Sequence, residues 1–332
     1  MSSVPTTSQE RALRLGTRRS ELAMAQSEGI AERVRKVTGR PVELVGISTY
    51  GDVSREQLTQ IGGTGVFVAA LREALLRGEV DFAVHSLKDL PTAQPPELVL
   101  AALPRRADPR DALVARDGLD FEGLAAAGGA RIGTGSPRRA AQLMHWARGL
   151  GAVIETVSIR GNVGTRLGYV RDGELDAVVL AAAGLHRVGR ASQITGLLSP
   201  DMVLPAPGQG ALAVECPAAD TRLAAQLAEL DDPETRIAVT AERTLLAALE
   251  AGCSAPVGAL ADFLDDGQDV TELRLRGSVG TIDGTTLVQL STTGPVPASA
   301  DAAVALAQSL GRELADEMLA KGAAGLMGER AL

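Results

Sequence analysis

Aromatic side chains are nearly missing from this 332-residue chain: Phe, Tyr and Trp together make up 2% of it. Its cores must therefore be built from Leu, Val, Ile and Ala. Cysteine occurs twice, at Cys216 and Cys253, which is no disulfide framework. Histidine occurs three times (His85, His145 and His186), each alone in its segment, so no metal-ligand spacing exists and no metal is expected. No apolar run approaches membrane-spanning length, and the opening "MSSVPTTSQERALRLG" lacks the apolar stretch of an export signal. A cytoplasmic protein without a membrane partner is the expectation. The net charge of −8 argues against a nucleic-acid surface and gives no general attraction for anions. Any anion site must be built locally. Lysine is scarce as well: Lys36, Lys88 and Lys321 are the only three among 33 basic residues, so a single arginine means little and Lys88 stands out.

What is present is a soluble globular composition, 45% apolar and 22% charged. Short β-like runs alternate with helical patterns as far as residue 220. Strands are expected at Ala12–Gly16, Val42–Ser48, Phe82–His85, Val99–Leu103, Ala112–Ala115, Arg131–Gly133, Val153–Ile159, Ala177–Leu180 and Leu212–Glu215. Ser20–Val37 and Val66–Arg77 read as amphipathic helices, the second with Phe67, Leu71 and Leu75 at i, i+4 spacing. Such alternation predicts α/β layers. Two proline-rich stretches, "LPRRADPRD" (103–111) and "LSPDMVLPAPGQG" (198–210), interrupt it. They bracket a block that reads as a domain inserted into the first, with the two crossings forming a hinge beside a cleft. The expected division is 1–103 with 204–222, then 104–203, then 223–332. The last part reads as a small α+β domain. Asp232, Pro233 and Gly252 delimit a long helix, a hairpin turns through Asp283-Gly284, and a final helix stops near Gly322.

Three strand-to-helix junctions carry arginine where helices disfavour it: "GTRRSELA" (16–23), "GTGSPRRAAQL" (133–143) and "IRGNVGTRL" (159–167). A helix N-terminus is partly positive and has unpaired N–H groups, so each cation there costs about 0.3–1 kcal/mol. Arg18, Arg19, Arg138, Arg139, Arg160 and Arg166 make sense at these places if an anion binds across the cleft. The competing reading is an arginine-rich chain with side chains in solvent. A fourth junction, "DFAVHSLKDLP" (81–91), presents Lys88 and Asp89 before Pro91. Two readings stand for this pair: a loop ion pair worth under about 1 kcal/mol, or a cleft carboxylate that stabilises a positive centre or moves protons. Cys253, in "EAGCSAPVG" (250–258), follows a helix C-terminus, whose partial negative charge raises a thiol's pKa. No histidine is nearby in sequence to activate it, so it is no ordinary turnover nucleophile.

"RLGTRRSELA", "GGTGVFVAAL", "DFAVHSLKDLP", "IGTGSPRRAAQL", "IRGNVGTRL", "AAAGLHRVG", "LPAPGQGALAVE" and "EAGCSAPVGA" resemble, in order, the signature segments of the porphobilinogen deaminase (hydroxymethylbilane synthase) family, over about residues 12–260. The resemblance implies two periplasmic-binding-protein-like α/β domains around a hinged cleft, plus a small α+β C-terminal domain. It implies a monomeric transferase of tetrapyrrole biosynthesis. Such an enzyme joins four porphobilinogen molecules, releasing ammonia at each step, on a dipyrromethane cofactor held by a thioether. Carried over by position, Cys253 is the attachment residue and Asp89 the catalytic carboxylate. Lys88, Ser136, Arg138, Arg139, Arg160 and Arg166 bind the cofactor. Arg18, Ser20, Arg160, Arg166 and Arg187 bind substrate carboxylates, and Phe67 falls where the family has an aromatic facing the active site. Gln209, in "PGQGAL", lies at the hinge. Thr64 and Pro137 depart from the usual Lys and Ser or Leu, and residues 51–60 read as a lid. The rival is a non-catalytic polyanion-binding protein with the same cleft; it leaves Cys253 unexplained.

Overall fold

The computed structural model describes residues 11–47, 65–252, 255–265 and 270–327. Two five-stranded sheets and one three-stranded sheet organise the described residues. The first contains β1 (Leu13–Arg18), β2 (Val42–Ile47), β3 (Phe82–Ser86) and β4 (Leu98–Ala102). The second contains β5 (Asp111–Ala115), β6 (Ala130–Gly133), β7 (Ile154–Val157), β8 (Ala177–Ala181) and β9 (Gly196–Leu197). Then β10 (Leu212–Pro217) rejoins the first sheet. Strand orders are β2-β1-β3-β10-β4 and β7-β6-β8-β5-β9. The two orders have the same form. Each sheet has three parallel strands followed by an antiparallel one, which is the strand that has just crossed over from the other sheet. The two crossings, 103–110 and 198–211, run side by side: Ala107 N–H donates to Gly210 O at 3.3 Å. Gly210 is needed there, because its φ is +87° and a Cβ would stand 2.5 Å from Ala107 O.

Burial follows the composition. Leu13, Leu15, Val34, Phe82 and Val214 fill one face of the first sheet, and Leu113, Phe121, Ile132, Leu143 and Val179 one face of the second. The third sheet, β11 (Val257–Asp265), β12 (Val270–Gly280) and β13 (Leu287–Pro295), is an antiparallel meander. The helices Pro233–Ala248 and Ala300–Ala320 cover it through Ala241, Leu245, Leu310 and Leu314.

Expected strands and helices recur within a residue or two, with instructive exceptions. The long helix closes at Leu249, earlier than Gly252 suggests. Its C-terminal bonds run from Glu250 N to Ala247 O and from Ala251 N to Leu246 O, and Glu250 itself takes φ +51°. That is a Schellman end with glutamate in the place glycine usually holds. The sequence reading also omitted β9, β11 and the helices Phe121–Ala127 and Thr221–Ala228. The hairpin near Asp283-Gly284 has six residues between β12 and β13 rather than a two-residue turn.

Candidate active site

The site is built at the end of β3. Its apolar residues run into a single 3-10 turn, Leu87–Asp89, before Pro91. Leu87 and Leu90 are fully buried pegs on either side, leaving Lys88 and Asp89 half-buried between them. Arg243, from the helix Pro233–Ala248, clamps the turn by donating to the carbonyls of Leu87 (3.3 Å), Leu90 (3.0 Å) and Pro91 (2.7 Å). Leu87 N–H also reaches Ala211 O at 3.0 Å. Asp89 lines a pocket of about 490 Å³, open mouth included, together with Arg18, Ser20, Gln26, His85 and Ser86. Arg18 ends β1, and Ser20 caps the following helix, accepting from Ala23 N at 3.3 Å. Behind the pocket, His85 Nε2 lies 3.2 Å from the buried Glu215, which also holds Arg72 and Gln94.

Lys88 faces the other way, toward the second sheet. Its Nζ donates to Gln209 Oε1 at 3.4 Å. Burial, with Arg139 and Arg138 nearby, pushes its pKa down to about 8 against the opposing pull of Asp89 and Asp111. Ser136 caps the helix Pro137–Gly149, accepting from Arg139 N at 3.4 Å, and Pro137 sits in its first turn. Arg138 and Arg139 turn inward, both almost completely buried. Their first anion is the protein's own. Arg138 Nη1 donates to Asp111 Oδ2 at 2.7 Å and to Leu204 O at 2.6 Å. Arg139 bonds Asp111 Oδ1 through Nε (3.0 Å) and Nη2 (2.7 Å), and Val179 O through Nη1 (3.0 Å). Burial alone would raise the Asp111 pKa; the two guanidinium groups hold it far below the usual carboxylate range. The arginine excess at this junction is thus partly a buried structural cluster, which sequence reasoning did not foresee.

Asn162 caps the helix Val163–Arg171 through Thr165 N at 2.9 Å. Arg166 bonds Gly161 O at 2.8 Å; burial lowers its pKa, and Arg139 and Arg160 lower it further, while Asp89 opposes them. Arg160 is exposed at the rim. Arg187 stands apart from this group, donating to Gly210 O at 2.7 Å, with burial lowering its pKa. Cys253, Thr64 and the 51–60 segment lie outside the described residues, as does the side chain of Phe67. The structure therefore brings Arg18, Ser20 and Asp89 into one pocket. It brings Lys88, Arg138, Arg139, Arg160 and Arg166 within each other's fields, with Asp89 common to both groups. Sequence reasoning passed over Asp111, although a charge opening the apolar run "DALVA" was a signal. It also passed over Gln26 and His85, which nothing in their local pattern marks.

Fold and side chains together define a class: an α/β protein with paired five-stranded sheets, in which five cations face two carboxylates where those sheets approach. The sequence matches two family profiles, "Porphobilinogen deaminase, dipyromethane cofactor binding domain" over residues 13–225 and "Porphobilinogen deaminase, C-terminal domain" over residues 236–320. It is 74% identical to porphobilinogen deaminase 1 of Streptomyces avermitilis, across 97% of this chain and 99% of that one. It is 57% identical to porphobilinogen deaminase of Thermobifida fusca, across 93% and 94%. Among solved structures, a periplasmic substrate-binding protein of an ABC transporter from Coxiella burnetii is similar at TM-score 0.42 and 15% identity, across 67% of this chain and 93% of that one. The chain belongs to the porphobilinogen deaminase family. The family's dipyrromethane group suits the residues present. It is a carboxylate-bearing ligand, the buried Asp111 cluster holds two guanidinium charges against one carboxylate, and among the described residues Arg138 Nε is buried without a partner. No helix among the described residues is long and apolar enough to cross a membrane.

Proposed function

We propose that the chain joins four porphobilinogen molecules head to tail, with release of ammonia at each step, to give hydroxymethylbilane for tetrapyrrole biosynthesis. One observation carries the reading: Asp89 is shared by the Arg18–Ser20 pocket and by the cation cluster around Lys88 and Arg166. Each addition needs one proton delivered to the departing amine and one removed from the pyrrole carbon that forms the new bond. Asp89 lies where it can serve both, and its negative charge stabilises the cationic azafulvene that remains of the substrate when ammonia leaves. Arg18, Ser20 and Arg187 take carboxylates of the incoming porphobilinogen, and Phe67 contributes to substrate binding. Lys88, Arg139, Arg160 and Arg166 take carboxylates of the incoming porphobilinogen and of the bound chain alike. Ser136 and Arg138 hold that group in place. When bound, the dipyrromethane supplies the pyrrole carbon from which the chain is extended. Cys253 is its thioether anchor, a role that needs one reaction and no activated thiolate. The chain 1–103 with 204–222, the inserted 104–203 and the C-terminal 223–332 work as three domains hinged at the crossings, as a monomer in the cytoplasm.

The test is the mass of the purified protein together with its product. Wild-type protein is expected to exceed its sequence mass by two linked pyrroles and to form tetrapyrrole from porphobilinogen. Cys253→Ser should lose both. Wild-type protein of bare sequence mass that makes no tetrapyrrole overturns the reading in favour of a polyanion binder.

Lys88 gives a second expectation. It is charged below about pH 8 and increasingly neutral above it. A bound carboxylate favours the charged form, so carboxylate affinity should fall as pH rises through that value. KM for porphobilinogen is expected to climb above pH 8 in the wild type. In Lys88→Arg, whose guanidinium stays charged, that climb should vanish. A break that persists in Lys88→Arg assigns it to another group.

A further inference from the structure

Gln209 is fully buried, and its carboxamide joins parts of the chain that are far apart in sequence. Its Nε2 donates to Pro109 O at 2.7 Å and to Asp111 Oδ1 at 2.8 Å. Its Oε1 accepts from Lys88 Nζ at 3.4 Å and from Arg139 Nη2 at 3.5 Å. The backbone is fixed as well, with Gln209 N–H on Ala206 O at 2.8 Å and Arg106 Nε on Gln209 O at 2.7 Å. These contacts permit one orientation of the amide. Reversed, it would press its oxygen against Asp111 and Pro109 O, and its N–H groups against Lys88 and Arg139.

Charge explains why an amide is suited to this place. A carboxylate here would stand within hydrogen-bonding distance of Asp111 with no proton between them. A cation would add to a group already crowded with Arg138, Arg139 and Lys88. A neutral residue with donors on one side and an acceptor on the other satisfies Asp111 and still offers an oxygen to Lys88. Removing it would leave the half-buried Pro109 carbonyl and a half-buried ammonium each short of a partner.

We propose that Gln209 is a positioning residue for Lys88: it carries the placement of the Asp111–Arg139 cluster across the crossing between sheets and so fixes where the Lys88 ammonium meets a substrate or chain carboxylate. This rests on the functional reading above. It goes beyond that reading by giving the hinge segment a direct part in carboxylate recognition.

The experiment is a double-mutant cycle on the protein carrying its covalent cofactor, verified by mass, with porphobilinogen as substrate. Gln209→Met keeps the volume and removes both donor and acceptor. KM is expected to rise roughly tenfold, the low end for a hydrogen bond to a charged group, while kcat stays within about threefold. In a Lys88→Met background the same substitution should change KM by less than about twofold, because the two residues then act on the same contact. Equal effects in both backgrounds would mean that Gln209 only supports the fold, and an unchanged KM in the single variant sinks the proposal equally. If Gln209→Met does not accumulate folded, Gln209→Asn takes its place with the same two outcomes. It keeps an amide at this place but draws it back by one methylene, withdrawing the oxygen from Lys88. Wild-type protein that yields no tetrapyrrole is a different failure, that of the family chemistry, and is seen before any variant is measured.

Discussion

Asp89→Asn is expected to lose turnover by about 10²–10⁴-fold, the range for removing a positioned acid–base group, while keeping the wild-type melting temperature and cofactor mass. The stability half of this expectation comes from geometry. Among the described residues Asp89 makes no hydrogen bond or ion pair that Asn could break; the turn is held by Leu87, Leu90 and the Arg243 clamp. Asn has the same shape but neither holds a proton nor carries a negative charge at neutral pH. The substitution should also appear at Lys88. Asp89 is the foremost group holding the Lys88 pKa up against burial, so its loss lets that pKa fall further below about 8. The rise of KM with pH should then begin at lower pH than in the wild type. Steady-state rates of tetrapyrrole formation between pH 6 and 9.5 check both parts. Retention of a third or more of wild-type turnover would remove Asp89 from the chemistry.

The strands and the junction helices were legible because their signals are local. Apolar runs, an N-cap aspartate and Pro at a first turn each act within a few residues, and Asp232 caps as its sequence suggests; Ser20, Ser136 and Asn162 cap the three junction helices by the same local bond. The arginines at the junctions were legible as anion sites, but the identity of the anion was not. Asp111 reaches Arg138 and Arg139 from 27 and 28 residues away, through strand pairing that no periodicity encodes. Glu250 shows the limit of local rules in the other direction. Gly252 carries the sequence signature of a helix end, yet the Schellman bonds form two residues earlier around a residue that pays strain for its positive φ. Packing of Leu245, Leu246 and Leu249 into the third-sheet core accompanies that early ending. Gln209 was visible as part of a motif, while the four partners of its amide come from the turn after β3, the first crossing, the start of β5 and the helix Pro137–Gly149.

Glu242→Ala should cost about 3–5 kcal/mol, the range for removing one partner of a buried ion pair. Glu242 is fully buried on the helix Pro233–Ala248. Its Oε1 accepts from Arg106 Nη1 (2.6 Å) and Ala261 N (3.0 Å), and its Oε2 from Arg106 Nη2 (3.0 Å) and Gly208 N (2.7 Å). One carboxylate thus ties the first crossing, the second crossing and β11 to a single helix. Alanine strands a largely buried guanidinium, left with Gln209 O as its remaining partner, and two backbone N–H groups. At roughly 2–4 °C per kcal/mol, the melting temperature should drop by about 10 °C. Arg106→Leu combined with Glu242→Leu should recover part of that drop, because an apolar pair leaves no buried charge alone. Surface pairs provide the contrast. Breaking Arg77–Glu79, both largely exposed, should leave the transition unmoved to within about a degree. Thermal unfolding of the four proteins decides the matter. A Glu242→Ala transition as high as the wild type's would mean that the crossings are held by their own backbone bonds, such as Ala107 to Gly210, and that the third sheet and its helices merely rest against them.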